Sequence, residues 1–194
     1  MGSLNEAFVI ASSLNIMTPK SRMMYPNLFE ATQVKGQGKA KFRLTLLLPA
    51  KSNIDVLREA VMECAKDALG KKLSTTKWRD PLIKVADEAR LTELASEFKY
   101  LIRPNSDNRP QVILPNKKVV DSADAPDEIY GGRWARASIG VYWYSADKSP
   151  VPGVGLGLSN VQLLDHDEPL GGGRVAAESE FDEVDEKDLA DMEG

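Results

Sequence analysis

Basic and aromatic side chains recur at every second position in two stretches of this chain. Residues 39–48 read KAKFRLTLLL, with Lys39, Lys41, Arg43 and Thr45 on one parity and Ala40, Phe42, Leu44, Leu46 and Leu48 on the other. Residues 133–144 read RWARASIGVYWY, where Trp134, Arg136, Ser138, Gly140, Tyr142 and Tyr144 alternate with Ala135, Ala137, Ile139, Val141 and Trp143. Successive side chains of a strand point to opposite faces, so each stretch sets cations or rings against an apolar face. Between them Lys71, Lys72, Lys77, Trp78 and Arg79 place an aromatic among bases in a loop. Cations that neutralise phosphates, beside flat rings on which bases stack at roughly 1–3 kcal/mol each, are what an unpaired nucleic-acid strand requires. On this reading Lys39, Lys41, Arg43, Arg133 and Arg136 meet phosphates, and Trp78, Tyr142 and Tyr144 meet bases. Singly, surface lysines commonly only solvate a sheet and strand aromatics commonly pack a core, as Trp134 is expected to do. Their repetition opposite a complete apolar face favours binding.

The same inventory excludes much catalysis. One cysteine, Cys64, and one histidine, His166, permit no intrachain disulfide, no Cys-x-x-Cys pair and no Cys/His zinc site. Cys64 falls on the apolar stripe of a helical pattern and reads as a small buried hydrophobe. His166, in the run Asp165-His166-Asp167-Glu168-Pro169, reads as a solvated loop residue. Gly153–Gly157 lacks a following Gly-Lys-Ser/Thr, and Gly171–Gly173 precedes Arg174 without a helical pattern, so nucleotide hydrolysis has no support. A carboxylate-metal nuclease would need a rigid acidic cluster, but the carboxylates are densest in a tail with nothing to hold them. No catalytic residue, metal ligand or cofactor is assigned. The start has no basic n-region, no segment approaches the ~20 apolar residues of a membrane span, and an unpaired thiol fits a reducing cytoplasm.

These side chains need rigid elements to position them. The alternation over Lys39–Leu48 predicts a strand that Pro49 ends, since proline cannot donate to a ladder. Ile54, Leu57, Val61, Cys64 or Ala65, and Ala68 recur at helical spacing, predicting an amphipathic helix over residues 53–69, capped by Ser52 or Asn53. A second helical pattern runs from about Asp87 to Phe98. Residues 103–130, rich in Pro, Asn and Asp, contain a short extended piece at Gln111–Leu114. Arg133–Tyr144 and the glycine-interrupted Gly153–Leu164 read as two further strands, with Gly155 and Gly157 permitting a bend or a close backbone approach. After Gly171–Gly173 the apolar pattern stops.

Charge divides along the same line. The 194 residues carry a net charge of −4, but from Glu178 onward there are nine acids and one base, so residues 1–177 are net positive by four. A basic body with an acidic tail presents two local fields, each selecting its own partners. The tail could lie in a basic groove as a competitor for nucleic acid or recruit basic proteins. Phe181, Asp182, Glu183, Asp185, Glu186 and Asp188 are its partner-binding candidates.

Four segments in this order, RMMYPNLFE from Arg22, KFRLTLLLPAK, IYGGRWARASIGVYWY and GVGLGLSNVQLLDHDEPLGGG, resemble a bacteriophage family of single-stranded DNA-binding proteins. The resemblance spans about Arg22 to Gly173. It implies a mainly β chain with an OB-fold: a five-stranded, partly open barrel with inserted α-helices in residues 1–173, followed by a flexible acidic tail in residues 174–194. It further implies a cytoplasmic, non-enzymatic role in phage replication or recombination, coating single strands largely without sequence preference. Implied partners are single-stranded DNA, replication or recombination proteins reached through the tail, and further copies of the chain. The tail ends Asp191-Met192-Glu193-Gly194, without the terminal aromatic or apolar residue frequent in such tails. The competing reading is an adaptor that binds basic replication proteins through its tail and has little affinity for nucleic acid.

Overall fold

A computed structural model describes residues 3–34, 37–145, 147 and 150–170. The strands are β1 (Phe8–Val9), β2 (Asn15–Met17), β3 (Ser21–Val34), β4 (Gln37–Pro49), β5 (Ile83–Lys84), β6 (Phe98–Ile102), β7 (Asn105–Ser106), β8 (Gln111–Ile113), β9 (Trp134–Tyr144) and β10 (Gly153–Leu163). Among the described residues the α-helices α1 (Asp55–Leu69) and α2 (Ala125–Glu128) interrupt them.

Strand pairing closes on itself. β3 pairs with β4, β4 with β7, β7 with β10, β10 with β9, and β9 again with β3. All contacts in this circuit are antiparallel except β7 with β10, a single parallel pair of Asn105 with Gly157. The barrel is therefore complete in order but narrowly closed at that seam. β6 extends the sheet from β4, β2 extends it from β9, and β8 runs parallel to β10.

Alternation explains why these segments are strands. On β9 Ala135, Ala137, Ile139 and Val141 are buried, and on β10 Val154, Leu156, Leu158, Val161 and Leu163 join them in the main core. The shift of β10's inward parity after Leu158 comes from a bulge. Leu158 pairs with Ile139 and Asn160 with Ser138, leaving Ser159 without a partner across the ladder. Helix α1 lays Leu57, Ala60, Val61, Cys64 and Ala65 on this core. Its N-cap position is Ile54, and the capping role falls to Asn53, whose Oδ1 accepts the Asp55 N–H at 2.9 Å.

One expectation needs correction. The helical pattern at Asp87–Phe98 is not an α-helix: it forms short 3₁₀ turns at Val85–Asp87 and Thr92–Ser96, and Phe98 already belongs to β6. Leu91 and Phe98 are drawn with Met24, Val85, Leu47 and Leu101 into a satellite cluster, and pairing of Phe98 with Pro49 leaves too few residues to propagate a helix. The segment RMMYPNLFE, which shows no alternation, lies within the longest strand, β3. Met23 packs in the main core and Met24 in the satellite cluster, so β3 is buried on both faces there and loses its period-two signature.

The chain after β10 runs back across the barrel as a strap over Asp165–Leu170. Lys20 binds Asp165, Arg22 binds Asp167, and the Trp134 indole donates to Asp167 Oδ2 at 2.7 Å. Lys20 and Arg22 sit 4.8 and 5.3 Å from the Trp134 ring. Gly132, at φ +110°, lies so close beneath the strap that a Cβ would meet the Glu168 carbonyl and the Leu170 nitrogen. His166 stays exposed, its Nδ1 3.1 Å from the Tyr130 hydroxyl. Hydrogen bonding from Lys20 holds the Asp165 carboxyl below its usual range. The backbone N–H of Glu168, then the Trp134 indole, do the same for Asp167.

Candidate nucleic-acid interface

Strand alternation on β4 turns Leu44, Leu46 and Leu48 inward, which forces Lys39, Lys41 and Arg43 outward. They line a groove of about 650 Å³ together with Tyr25, Thr45, Arg103 and Asn105. Lys39 Nζ lies 3.1 Å from Asp107 Oδ2, while Lys41 Nζ contacts Asp107 Oδ1 at 3.5 Å and Asn105 Oδ1 at 3.3 Å. Asp107 is thus a carboxylate set among the cations, and the hydrogen bond from Lys39 holds its carboxyl below the usual range. Arg43 donates to the Thr32 carbonyl, and its buried Nε has no partner among the described residues. Arg103 pairs with Glu88 at 3.1 Å. Exposed pairs of this kind contribute little, so an incoming phosphate displaces them at small cost.

Register connects the groove to β9 and β10. Asn27, Arg43, Asn105, Gly157 and Gly140 are successive partners on β3, β4, β7, β10 and β9, one row across the barrel wall. Beside this row Tyr142, 43% exposed, packs close over the backbone of Gly155. A Cβ at Gly155 would come 2.5 Å from the ring's Cζ, so only glycine admits the ring there. At Gly153 a Cβ would meet the Tyr144 hydroxyl and the Arg79 carbonyl, each at 2.7 Å. Partial burial, and then the field of Asp107, raise the Tyr142 phenol, which keeps it neutral at physiological pH. A partly exposed ring packed close over a glycine is an arrangement that can stack a base.

Not every expected residue belongs to this face. Arg133 does not. It is 2% exposed, its Nε and Nη2 donate to the Leu164 carbonyl at 3.3 and 3.0 Å, and Nη1 binds Glu128. Every donor group is committed within the protein, so Arg133 is a structural pin between α2 and the end of β10. Trp78 is half-buried against the main core, and its loop is anchored where Arg79 bridges to Gly153. That pairing brings Arg79 to the Tyr144 end of the face. Arg136 lies at the opposite end of β9, where its Nε donates to Gln162 Oε1 at 2.9 Å. Phe181, Asp182, Glu183, Asp185, Glu186 and Asp188 lie outside the described residues.

The structure adds Tyr25 and Arg103, which strand patterning did not mark. Tyr25 is 58% exposed in the groove with φ +47°, a conformation unusual for a bulky residue and held by its place between the buried Met24 and Pro26. The residue before a proline at a strand interruption was the available signal. Arg103 follows β6 directly in the run Arg103-Pro104-Asn105.

The strand circuit is that of an OB-fold, which carries oligonucleotides on its second and third strands and on the loops after its first and fourth. Here those are β4, β6 with β7, the β3–β4 connection and the β9–β10 connection. The sequence pattern of the family described as Enterobacter phage Enc34, ssDNA-binding protein, matches residues 14–191, and the chain belongs to that family. A protein designated p50 of Acyrthosiphon pisum secondary endosymbiont phage 1 is 29% identical over 174 residues, covering 84% of this chain and 90% of that one. Solved structures of phage single-stranded DNA-binding proteins share the fold. The single-stranded DNA-binding protein from bacteriophage Enc34 in complex with ssDNA has a TM-score of 0.69 at 21% identity, covering 82% of this chain and 91% of that one. The gp2.5 single-stranded DNA-binding protein of bacteriophage T7 has a TM-score of 0.57 at 14% identity, covering 91% and 93%. Among the described residues no helix is long and apolar enough to cross a membrane.

Proposed function

We propose that this chain is a single-stranded DNA-binding protein of phage DNA replication and recombination. It coats exposed strands in the cytoplasm of the infected bacterium, largely without sequence preference and without catalysis. The observation that carries the proposal is the groove in which Lys39, Lys41, Arg43 and Arg103 surround the exposed Tyr25 and continue by strand register to Tyr142. The cations neutralise the phosphates and the rings stack bases, neither of which reads sequence. Family membership supports the same reading over the adaptor alternative.

Residues 174–194 are proposed to act as a separate acidic arm. With a net charge of −8 from Glu178 onward, it contacts basic replication or recombination proteins, or returns to the groove as a competitor for DNA.

Charge reversal tests the groove. Lys39→Glu with Lys41→Glu is expected to weaken oligothymidine binding by about tenfold or more at low salt. The melting temperature should stay close to that of the parent, because both side chains are exposed or half-exposed. Unchanged affinity in a folded variant refutes the assignment.

A further inference from the structure

A second concavity, of about 300 Å³, opens on the outward face of β9 and β10 at the end away from Tyr144. Ile10, Met17 and Ile113 form apolar walls, and Ser138, Asn160 and Arg136 border it with polar groups. Ile10 is 48% exposed, an uncovered aliphatic side chain at the rim. The Arg136 guanidinium is fixed in place. Its Nε donates to Gln162 Oε1, and Gln162 Nε2 donates to the Leu114 carbonyl at 3.4 Å. The terminal nitrogens of Arg136 have no protein partner among the described residues, nor does the Asn160 amide nitrogen, whose Oδ1 accepts the Gln111 N–H at 3.3 Å.

This concavity continues the interface already described. Tyr142, Gly140, Ser138 and Arg136 occupy successive outward positions of β9. Gly140 faces Gly157 across the ladder, and no atom of the described residues lies within 4 Å of where a Gly140 Cβ would stand. The track is open between the Tyr142 platform and the pocket, about 20 Å from Tyr142 to Arg136 at strand rise.

We propose that this pocket is an end subsite for one unstacked nucleotide of the bound strand. The base sits between Ile10, Met17 and Ile113 with its polar edge toward Asn160, and its phosphate lies on Arg136. Apolar walls with a few placed polar groups suit a base, and the free fork of a positioned guanidinium suits a phosphate. The volume lies at the lower limit for pockets that hold a small molecule, which fits one nucleotide rather than a stacked run. The proposal rests on the single-stranded DNA reading and specifies where a long strand goes beyond the groove.

Strand length separates the two. A short oligothymidine of about four nucleotides fills the groove, whereas one of about sixteen reaches the pocket. Fluorescence anisotropy of both is measured with the full chain, with Arg136→Ala, and with Ile10→Glu, which sets a carboxylate at the exposed rim without disturbing the core. Both variants are expected to weaken the long oligonucleotide about five- to tenfold and the short one less than twofold. Unchanged affinity for the long oligonucleotide in both variants overturns the subsite, as does an equal loss for both lengths. Absence of binding by the parent at either length overturns instead the single-stranded DNA reading on which the subsite depends.

Discussion

Asp107 shows how finely single side chains set this face. It stands within 3.1 Å of Lys39 and 3.5 Å of Lys41, lowering the potential that a phosphate would meet. Its carboxyl is held below the usual range and stays ionised at neutral pH. Asp107→Asn is therefore expected to tighten single-strand binding about two- to fivefold at low salt, the gain fading as salt screens the groove. An anisotropy titration at two ionic strengths checks this, and weaker binding contradicts it. Arg133 makes the opposite case, a cation just before β9 that is consumed by the fold. Arg133→Ala removes the donors that satisfy the Leu164 carbonyl and Glu128, and should lower stability by about 2–4 kcal/mol. The folded fraction should bind DNA as the parent does. Urea denaturation alongside binding measures both, and a loss of affinity without a loss of stability returns Arg133 to the interface.

At the scale of elements, β9, β10, α1 and the first half of β4 are legible because each has one wet and one dry face, so its period survives in the sequence, whereas β4 from Leu44 to Leu48 is buried on both faces. Lys39, Lys41, Arg43 and Tyr142 follow directly from that parity. β3 is opaque for the converse reason: Met23 and Met24 are both buried, and Pro26 and several register shifts break the alternation, which hid Tyr25. By parity Arg133 falls with Ala135 and Ala137 on the buried face, so it is charge, not alternation, that points to the interface; its commitment to Glu128 and Leu164 is hidden in the sequence. The strap was equally hidden, since its acids read as solvent-facing until Lys20, Arg22 and Trp134 are brought beneath them. Asp165 and Asp167 both have lowered values in the folded chain, so their contribution is fully present above the ordinary carboxylate range, about pH 4, and is lost as pH falls through the lowered values. The Trp134 indole N–H resonance, reporting its bond to Asp167, should hold steady from pH 7 to about pH 4 and shift below it. A transition near neutral pH contradicts this account of the strap.

For the whole molecule, the net charge of −4 conceals a positive body joined to an acidic arm, and the body's excess is small. Binding a polyanion therefore depends on local concentration of charge, which the barrel supplies by turning Lys39, Lys41 and Arg43 outward on one strand and closing the ring so that Arg103 stands beside them. The most direct measurement is fluorescence anisotropy of a short labelled oligothymidine titrated with this protein across a range of salt concentrations. Four groove cations, each releasing counterions at roughly 0.7 per phosphate on a single strand, predict a log–log slope of about −3 with tight binding at low salt. No binding at low salt, or an affinity indifferent to salt, would contradict the account.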